Sequence, residues 1–355
     1  MAPTFRTRIT ELFGIAHPIL GGGLMWLSDA RYVAALVNAG CMGFMTPRSF
    51  DSDEAFADAL VQCTDLTEGR PFGVNLTLSA RPQANAGVQR WLQIALAHGV
   101  RFFETAGYAP TALIGTLRDA GATVIHKAPS IRHALSAERA GVHAVALVGM
   151  EEGGHPGTNE LPTMLMGALA ADQFRVPVVL AGGIGHGRQL AAVLAQGLDG
   201  VMIGSRFLVC EEIAAHPAYK QHLLTCDEHS TVRLLHTLGN TWRVLRNDTA
   251  REIDAIERAG AADHAAFGDL ISGRTARDGC YAQGHWQRGM LSLGPSIAFA
   301  QRIEPLASIV RQLLDEAHMA LARLAPLVQA PRGPVSCKTC GTTSSAQAGD
   351  SSTQT

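Results

Sequence analysis

The chain has 355 residues, of which 29 are Lys or Arg and 31 are Asp or Glu, giving a formal net charge of −2 at pH 7. With charge so balanced and no basic block, neither nucleic acid nor an anionic membrane is a favoured partner. Hydrophobic residues make up 47% of the chain, ample for a core, yet no apolar run approaches the ~18–20 residues of a membrane span.

The N-terminal stretch from Met1 to Arg8 lacks the apolar centre of a signal peptide. Seven cysteines, at 41, 63, 210, 226, 280, 337 and 340, are scattered along the chain. Both features point to a reduced, cytoplasmic protein. Cys337 and Cys340 have half the spacing of a zinc site without a second pair, so no metal is expected.

In chain order, His17 to Leu20 reads as a strand that runs into the glycines 21–23. Ser28 to Gly40 is a capped helix with glycine at its end. Cys41 to Met45 is the second strand, with Thr46 and Pro47 in its loop. After another helix, Pro71 to Asn75 is the third strand and ends on a polar amide. Gln89 to His98 is helical, and Val100 to Glu104 is the fourth strand. The helix from Ala109 to Ala120 closes at Gly121. Ala122 to Lys127, the fifth strand, ends on ionisable side chains. The helix from Ser130 to Ala140 leads to His143 to Val148, the sixth strand, whose loop spans Glu151 to Gly157. A helix from about Leu165 to Ala171 precedes Val176 to Leu180, the seventh strand, which breaks into Gly182 and Gly183. Gln189 to Gln196 is helical, and Gly200 to Ile203 is the eighth strand, ending on Gly204 and Ser205.

Strands and helices thus alternate at a spacing of roughly 25 residues, the pattern of parallel βαβ units. An open doubly wound sheet gives the same local pattern. However, the first turn lacks G-x-G-x-x-G, and polar residues collect at the ends of several strands. The expected fold is therefore α/β, a TIM (β/α)8 barrel with a smaller helical domain inserted after strand 8. Residues 1–210 form the barrel, rejoined by 296–328. Residues 211–295 form a helical cap without strand signal, and 331–355 a disordered tail.

Strand ends on such a barrel are the default catalytic positions. The glycine turns Gly182, Gly183, Gly204 and Ser205 follow strands seven and eight, where a barrel holds phosphate, with Arg206 as an added charge. Asn75 suits the edge of a heterocycle, and Lys127 places a fixed charge in the mouth. His126 lies beside it. Among glycines, His155 is the imidazole best placed for acid or base work. Phosphate loops, a lysine and an amide fit either flavin mononucleotide or a phosphorylated substrate. No metalloprotease, hydrolase-elbow or Walker pattern is present.

The chain resembles the FMN-dependent nitronate monooxygenase family, nearest its bacterial NADH:quinone reductase branch. The matching stretches are His17 to Ile19 with Gly22 and Gly23, Gly73 to Thr77, Glu104 to Gly107 and His126 with Lys127. They continue with Gly154 to Gly157, Ala181 to Gly183, Gly204 to Phe207, Arg246 with Asn247, and Ile271 to Gly273. The resemblance implies that FMN lies at the barrel mouth. Gly22, Gly23 and Leu24 would line it, and Asn75 and Lys127 would bond its ring. Gly182, Gly183, Gly204 and Ser205 would hold its phosphate. His155 matches the active-site histidine. Met25 and Pro156 would shape the substrate pocket, and Trp286, Gly289 and Met290 would cover it. Pro156 follows the reductase branch, Leu24 stands where the family has Met, and Ser205 replaces Thr.

Two redox readings follow from the resemblance. In the first, NAD(P)H reduces FMN and a quinone is the acceptor. In the second, a nitronate monooxygenase cleaves alkyl nitronates with oxygen. A phosphosugar isomerase or synthase, or a non-catalytic flavin-binding module, would use the same loops. The partner in each enzyme reading is a small molecule, and a homodimer is the expected assembly if the chain associates.

Overall fold

The computed structural model describes residues 4–79 and 82–327, so the expected tail and the Cys337–Cys340 pair lie outside the described residues. Eight parallel strands close into a barrel in sequence order, with the first strand paired to both the second and the eighth. They are β1 (Ile19–Gly21), β2 (Met42–Met45), β3 (Gly73–Leu78), β4 (Phe102–Gly107), β5 (Thr123–Ala128), β6 (Ala144–Val148), β7 (Val178–Ala181) and β8 (Gly200–Ile203).

The helices that return the chain over the outside are α2 (Ala30–Asn38), α3 (Asp53–Leu66), α4 (Val88–Ala97), α5 (Thr111–Asp119), α6 (Ile131–Ala140), α7 (Thr163–Ala170) and α8 (Gly187–Ala195). Most start on a side-chain cap. Asp29, Ser52 and Ser130 each accept the N–H three residues on, which supplies a partner that a helix start otherwise lacks. The cap of α2 is Asp29 rather than the expected Ser28. The Ser28 hydroxyl accepts the Leu24 N–H at 2.6 Å instead, tying the β1–α2 loop to the helix.

Alternation along the strands sorts side chains into two layers. Phe44, Ile125, Ala146, Val179 and Met202 fill the barrel interior, while Val145, Leu180 and Val201 face the helices. The lower end is plugged by α1 (Arg8–Phe13), whose Phe13 ring lies 6.2 Å from Phe44 and 5.4 Å from Phe102. Inward parity continues upward from Phe102 to Glu104 and from Ile125 to Lys127. The barrel's top layer is therefore polar where its lower layers are apolar.

After β8 the chain forms α9 (Pro217–Leu223), β9 (Thr231–Leu234), β10 (Trp242–Leu245), α10 (Asp248–Arg258) and α11 (His264–Phe267). A π-helical turn follows over Thr275–Tyr281. The expectation of a purely helical insert is corrected here. β9 and β10 pair antiparallel, with Val244 opposite Val232 and Arg243 opposite Arg233. Only β9 alternates polar and apolar residues over its four positions; β10 ends on Val244 and Leu245. Such runs are too short, and too rich in arginine, to register as strand by periodicity. Leu234, Val244, Ile253, Phe267 and Met290 form a small core of their own. The closing helix α12 (Leu306–Leu324) lies along α8, where Glu316 accepts the Gly187 N–H at 2.8 Å. Among the described residues no helix is long and apolar enough to cross a membrane.

Candidate active site at the barrel mouth

One carboxylate organises the polar top layer. Glu104 is fully buried; its Oε1 accepts the Asn75 amide at 2.6 Å and lies 3.3 Å from Lys127 Nζ. Its Oε2 accepts the Gly23 N–H at 3.1 Å. Adjacent strands β3 and β4 place Asn75 opposite Glu104, so this pairing follows directly from register. A buried carboxylate is tolerated only when paired and hydrogen-bonded, and Glu104 has three partners. Asn75 also accepts the Thr77 hydroxyl at 3.0 Å, which leaves one further donor and acceptor site on the amide.

Lys127 is shared. Its ammonium lies 3.8 Å from Glu152 Oε1 as well as against Glu104. Burial disfavours its charge, but the two carboxylates more than offset this and hold Lys127 above the ordinary lysine value. Burial pushes Glu152 up to about 7; Lys127 lowers it and Glu104 raises it again. Near neutral pH the mouth therefore contains one fixed ammonium, on Lys127, and one carboxyl poised to titrate, on Glu152.

Glycines on the β1 and β7 loops are there for space. A Cβ on Gly23 would stand 2.6 Å from the Asn75 Cβ and 2.9 Å from the Thr46 hydroxyl. Gly182 and Gly183 have φ of +98° and +70°, and a Cβ on either would come within about 3 Å of Gly149 O or Glu151 Cβ. Thr163 Oγ1 lies 2.8 Å from both Glu151 Oε2 and Gly182 O, which fixes this turn against the β6 loop. Leu24 leans toward Gly204, so the β1 and β8 loops meet. Ser205 Oγ accepts the Gly294 N–H at 2.7 Å, leaving its hydroxyl hydrogen for another acceptor. Backbone exposed in cradles that side chains would fill is what a phosphate needs.

His155 is placed by the accessory hairpin. Gly154 exchanges both backbone hydrogen bonds with Arg243, at 3.0 and 2.7 Å. The Arg243 guanidinium also donates twice to Met150 O, and the Thr241 hydroxyl donates to Gly157 O at 2.5 Å. The exposed His155 ring stacks on Trp242, 4.7 Å between centroids. Loss of water around the ring, and then the Lys127 ammonium, hold it below the ordinary imidazole value, so the ring is neutral at pH 7.

Of the expected site residues, Asn75 and Lys127 on strands and Gly22, Gly23, Leu24, Gly182, Gly183, Gly204, Ser205 and His155 on loops are gathered at one barrel end. Met25 is exposed at the lip and Pro156 is buried beneath His155's loop. The three residues expected to cover the pocket have contacts of their own in the accessory unit. The Trp286 ring stacks face to face on His222 of α9. Gly289 is bonded to Thr249 and Asn247, and Met290 is buried in the accessory core. His126 faces the outer layer and meets the Thr105 hydroxyl at 2.9 Å. Arg206 is buried and pairs with Glu304 at 3.2 Å. Glu152 and Trp242 were not singled out from the sequence. Glu152 is hidden beside the more regular Glu151, and Trp242 reaches the mouth only through tertiary pairing.

A family model described as nitronate monooxygenase matches residues 6–316. The chain belongs to the nitronate monooxygenase family. It is 34% identical to a methyl-oxo-octahydroindene carboxyl-CoA dehydrogenase of Mycobacterium tuberculosis, over 72% of this chain and 70% of that one. It is 26% identical to the nitronate monooxygenase of Paraburkholderia phytofirmans, covering 90% and 98%. Among solved structures it resembles FabK from Thermotoga maritima, with a TM-score of 0.82, 30% identity, and coverage of 92% and 100%. It also resembles the nitroalkane oxidase of Streptomyces ansochromogenes, with a TM-score of 0.74 and 25% identity over 90% of this chain and 100% of that one. Membership makes the protein an oxidoreductase acting on a small molecule and implies a flavin. The isomerase and non-catalytic readings fall with it.

Proposed function

We propose that the chain is an FMN-dependent NAD(P)H:quinone reductase. Gly182, Gly183, Gly204 and Ser205 would hold the FMN phosphate, and Gly22, Gly23, Leu24, Asn75 and Lys127 would hold the ring. When bound, the flavin supplies the hydride-accepting chemistry. Lys127 contributes a positive charge fixed in advance by Glu104 and Glu152, so no reorganisation is needed as charge develops beside it. His155, neutral and stacked on Trp242, would donate its ring N–H to a carbonyl or quinone oxygen.

The observation that carries this reading is the charge balance of the mouth. One ammonium stands against two carboxyl groups, Glu104 and Glu152, a setting that suits a neutral acceptor better than an anionic one. An alkyl nitronate is an anion, and the mouth offers it no surplus positive charge. The monooxygenase reading is favoured by the family description and by the Paraburkholderia relative; in it, His155 would act as base or anion donor. Steady-state turnover separates the two. With NADH or NADPH, 1,4-benzoquinone should be turned over at least tenfold faster than propyl nitronate is consumed with oxygen. The reverse order would overturn the quinone assignment.

A further inference from the structure

A second cavity, of about 400 Å³, opens on the rim between the barrel and the accessory unit, lined by Trp26, Arg48, Phe50, Asp51, Ser272, Gly273, Arg274 and Arg277. Its size lies within the ~300–1,000 Å³ range of small-ligand sites. Three guanidiniums face one carboxylate, and two aromatic rings form the walls. Arg277 lies over the Trp26 ring, 5.2 Å from its centroid, and pairs with Asp51 at 2.6 Å. Arg48 lies over Trp91. Arg274 makes no ion pair among the described residues and is exposed.

Trp26 is held in an unusual state. Its φ of +70° is left-handed, a conformation that a bulky residue rarely adopts. The Ser49 hydroxyl accepts its N–H at 2.8 Å, which fixes the turn. Strain of this kind persists where the surroundings over-determine it, and it concentrates at ligand sites. The cavity is also tied to the mouth. Leu24, which leans on Gly204, is two residues before Trp26, a span of at most ~7 Å of chain.

We propose that this rim cavity binds the phosphorylated adenosine end of a nucleotide-bearing reactant, with the reactive end reaching the mouth past Met25. Guanidiniums recognise phosphate through paired N–H groups, and flat aromatic walls suit a purine. The charge logic complements the mouth: the anionic part of the reactant is held on the rim, and the part that reaches Lys127 and Glu152 is neutral. The proposal rests on the reading of the mouth as a redox site only for what the reactive end does; the cavity's own chemistry stands apart from it. Two sources share the chemistry, a nicotinamide dinucleotide phosphate and a coenzyme A thioester, and they differ in where the ribose phosphate sits.

Calorimetric titration of the protein as purified tests this without turnover. The probes are 2′,5′-ADP, 3′,5′-ADP, adenosine and inorganic phosphate. At least one bisphosphate should bind at least tenfold tighter than adenosine and than phosphate. A preference for the 2′-phosphate indicates the nicotinamide source, and a preference for the 3′-phosphate the thioester. Arg274→Ala should weaken the preferred bisphosphate about tenfold or more, as expected for one charge-assisted contact, and Asp51→Asn should tighten it. Flavin content and reduction by nicotinamides, measured on the same preparations, report on the mouth separately. Absence of saturable bisphosphate binding, equal binding of phosphate alone, or an unchanged affinity in Arg274→Ala would overturn the proposal.

Discussion

Lys127 sits where two carboxylates compete for it, and its replacement is the sharpest test at the residue scale. Lys127→Met leaves Glu104 buried with the Asn75 and Gly23 donors alone. Purified protein should carry less flavin, or the flavin should be harder to reduce by about 30 mV or more, equivalent to about 1.4 kcal/mol for a two-electron couple. Unchanged flavin content and potential would remove the charge role. His155→Ala should cut turnover about 100-fold with flavin content intact, the scale of a lost acid–base group. Lys127 and Asn75 were legible in the sequence because each is a polar side chain closing a compact apolar run, although β3 continues past Asn75 to Leu78. Glu104 was legible as a strand-end candidate, but its place at the centre of the network comes from register, which neighbouring strands set jointly. The contacts of Trp286, Gly289 and Met290 were not legible, because a motif gives order along the chain, not which face of the accessory unit a residue joins.

Glu152 extends the same reasoning to pH. Its folded value, about 7, is raised above the ordinary 4.5, so it contributes stability that is complete below 4.5 and lost as pH rises through 7. Denaturation midpoints of the parent protein and of Glu152→Gln should therefore diverge across that window, with the variant relatively more stable at pH 8 than at pH 4.5. A constant difference would show that Glu152 titrates normally.

At the scale of elements, the β9–β10 hairpin acts as a brace for the loop that carries His155. Arg243 holds Met150 O by two side-chain bonds and Gly154 by two backbone bonds. Arg243→Ala removes the side-chain pair, which at about 1–3 kcal/mol for hydrogen bonds to a charged donor should loosen residues 150–157. Faster amide exchange in that loop, with exchange in the barrel strands unchanged, is the expected result; uniform exchange would show that the brace is not local. The hairpin escaped sequence reading because four-residue strands that each carry an arginine look like surface helix or loop. The plug α1 escaped for a similar reason: six residues give too few turns for a periodic signal. The barrel strands were easier to read, since a buried parallel strand is a compact apolar run bounded by glycine.

For the whole molecule, the alternation of strands and helices carried the fold, and the barrel closes where the eighth strand, paired on one side with the seventh, pairs on the other with the first. What alternation left open was the use of the barrel's upper end, which is decided by three inward side chains on three strands and by a loop held from the accessory unit. Anaerobic stopped-flow mixing of the purified protein with NADH and with NADPH tests the resulting account most directly. At least one nicotinamide should bleach the flavin absorbance near ~450 nm rapidly, with propyl nitronate much slower. If both nicotinamides leave the flavin oxidised while propyl nitronate reduces it quickly, the account is wrong.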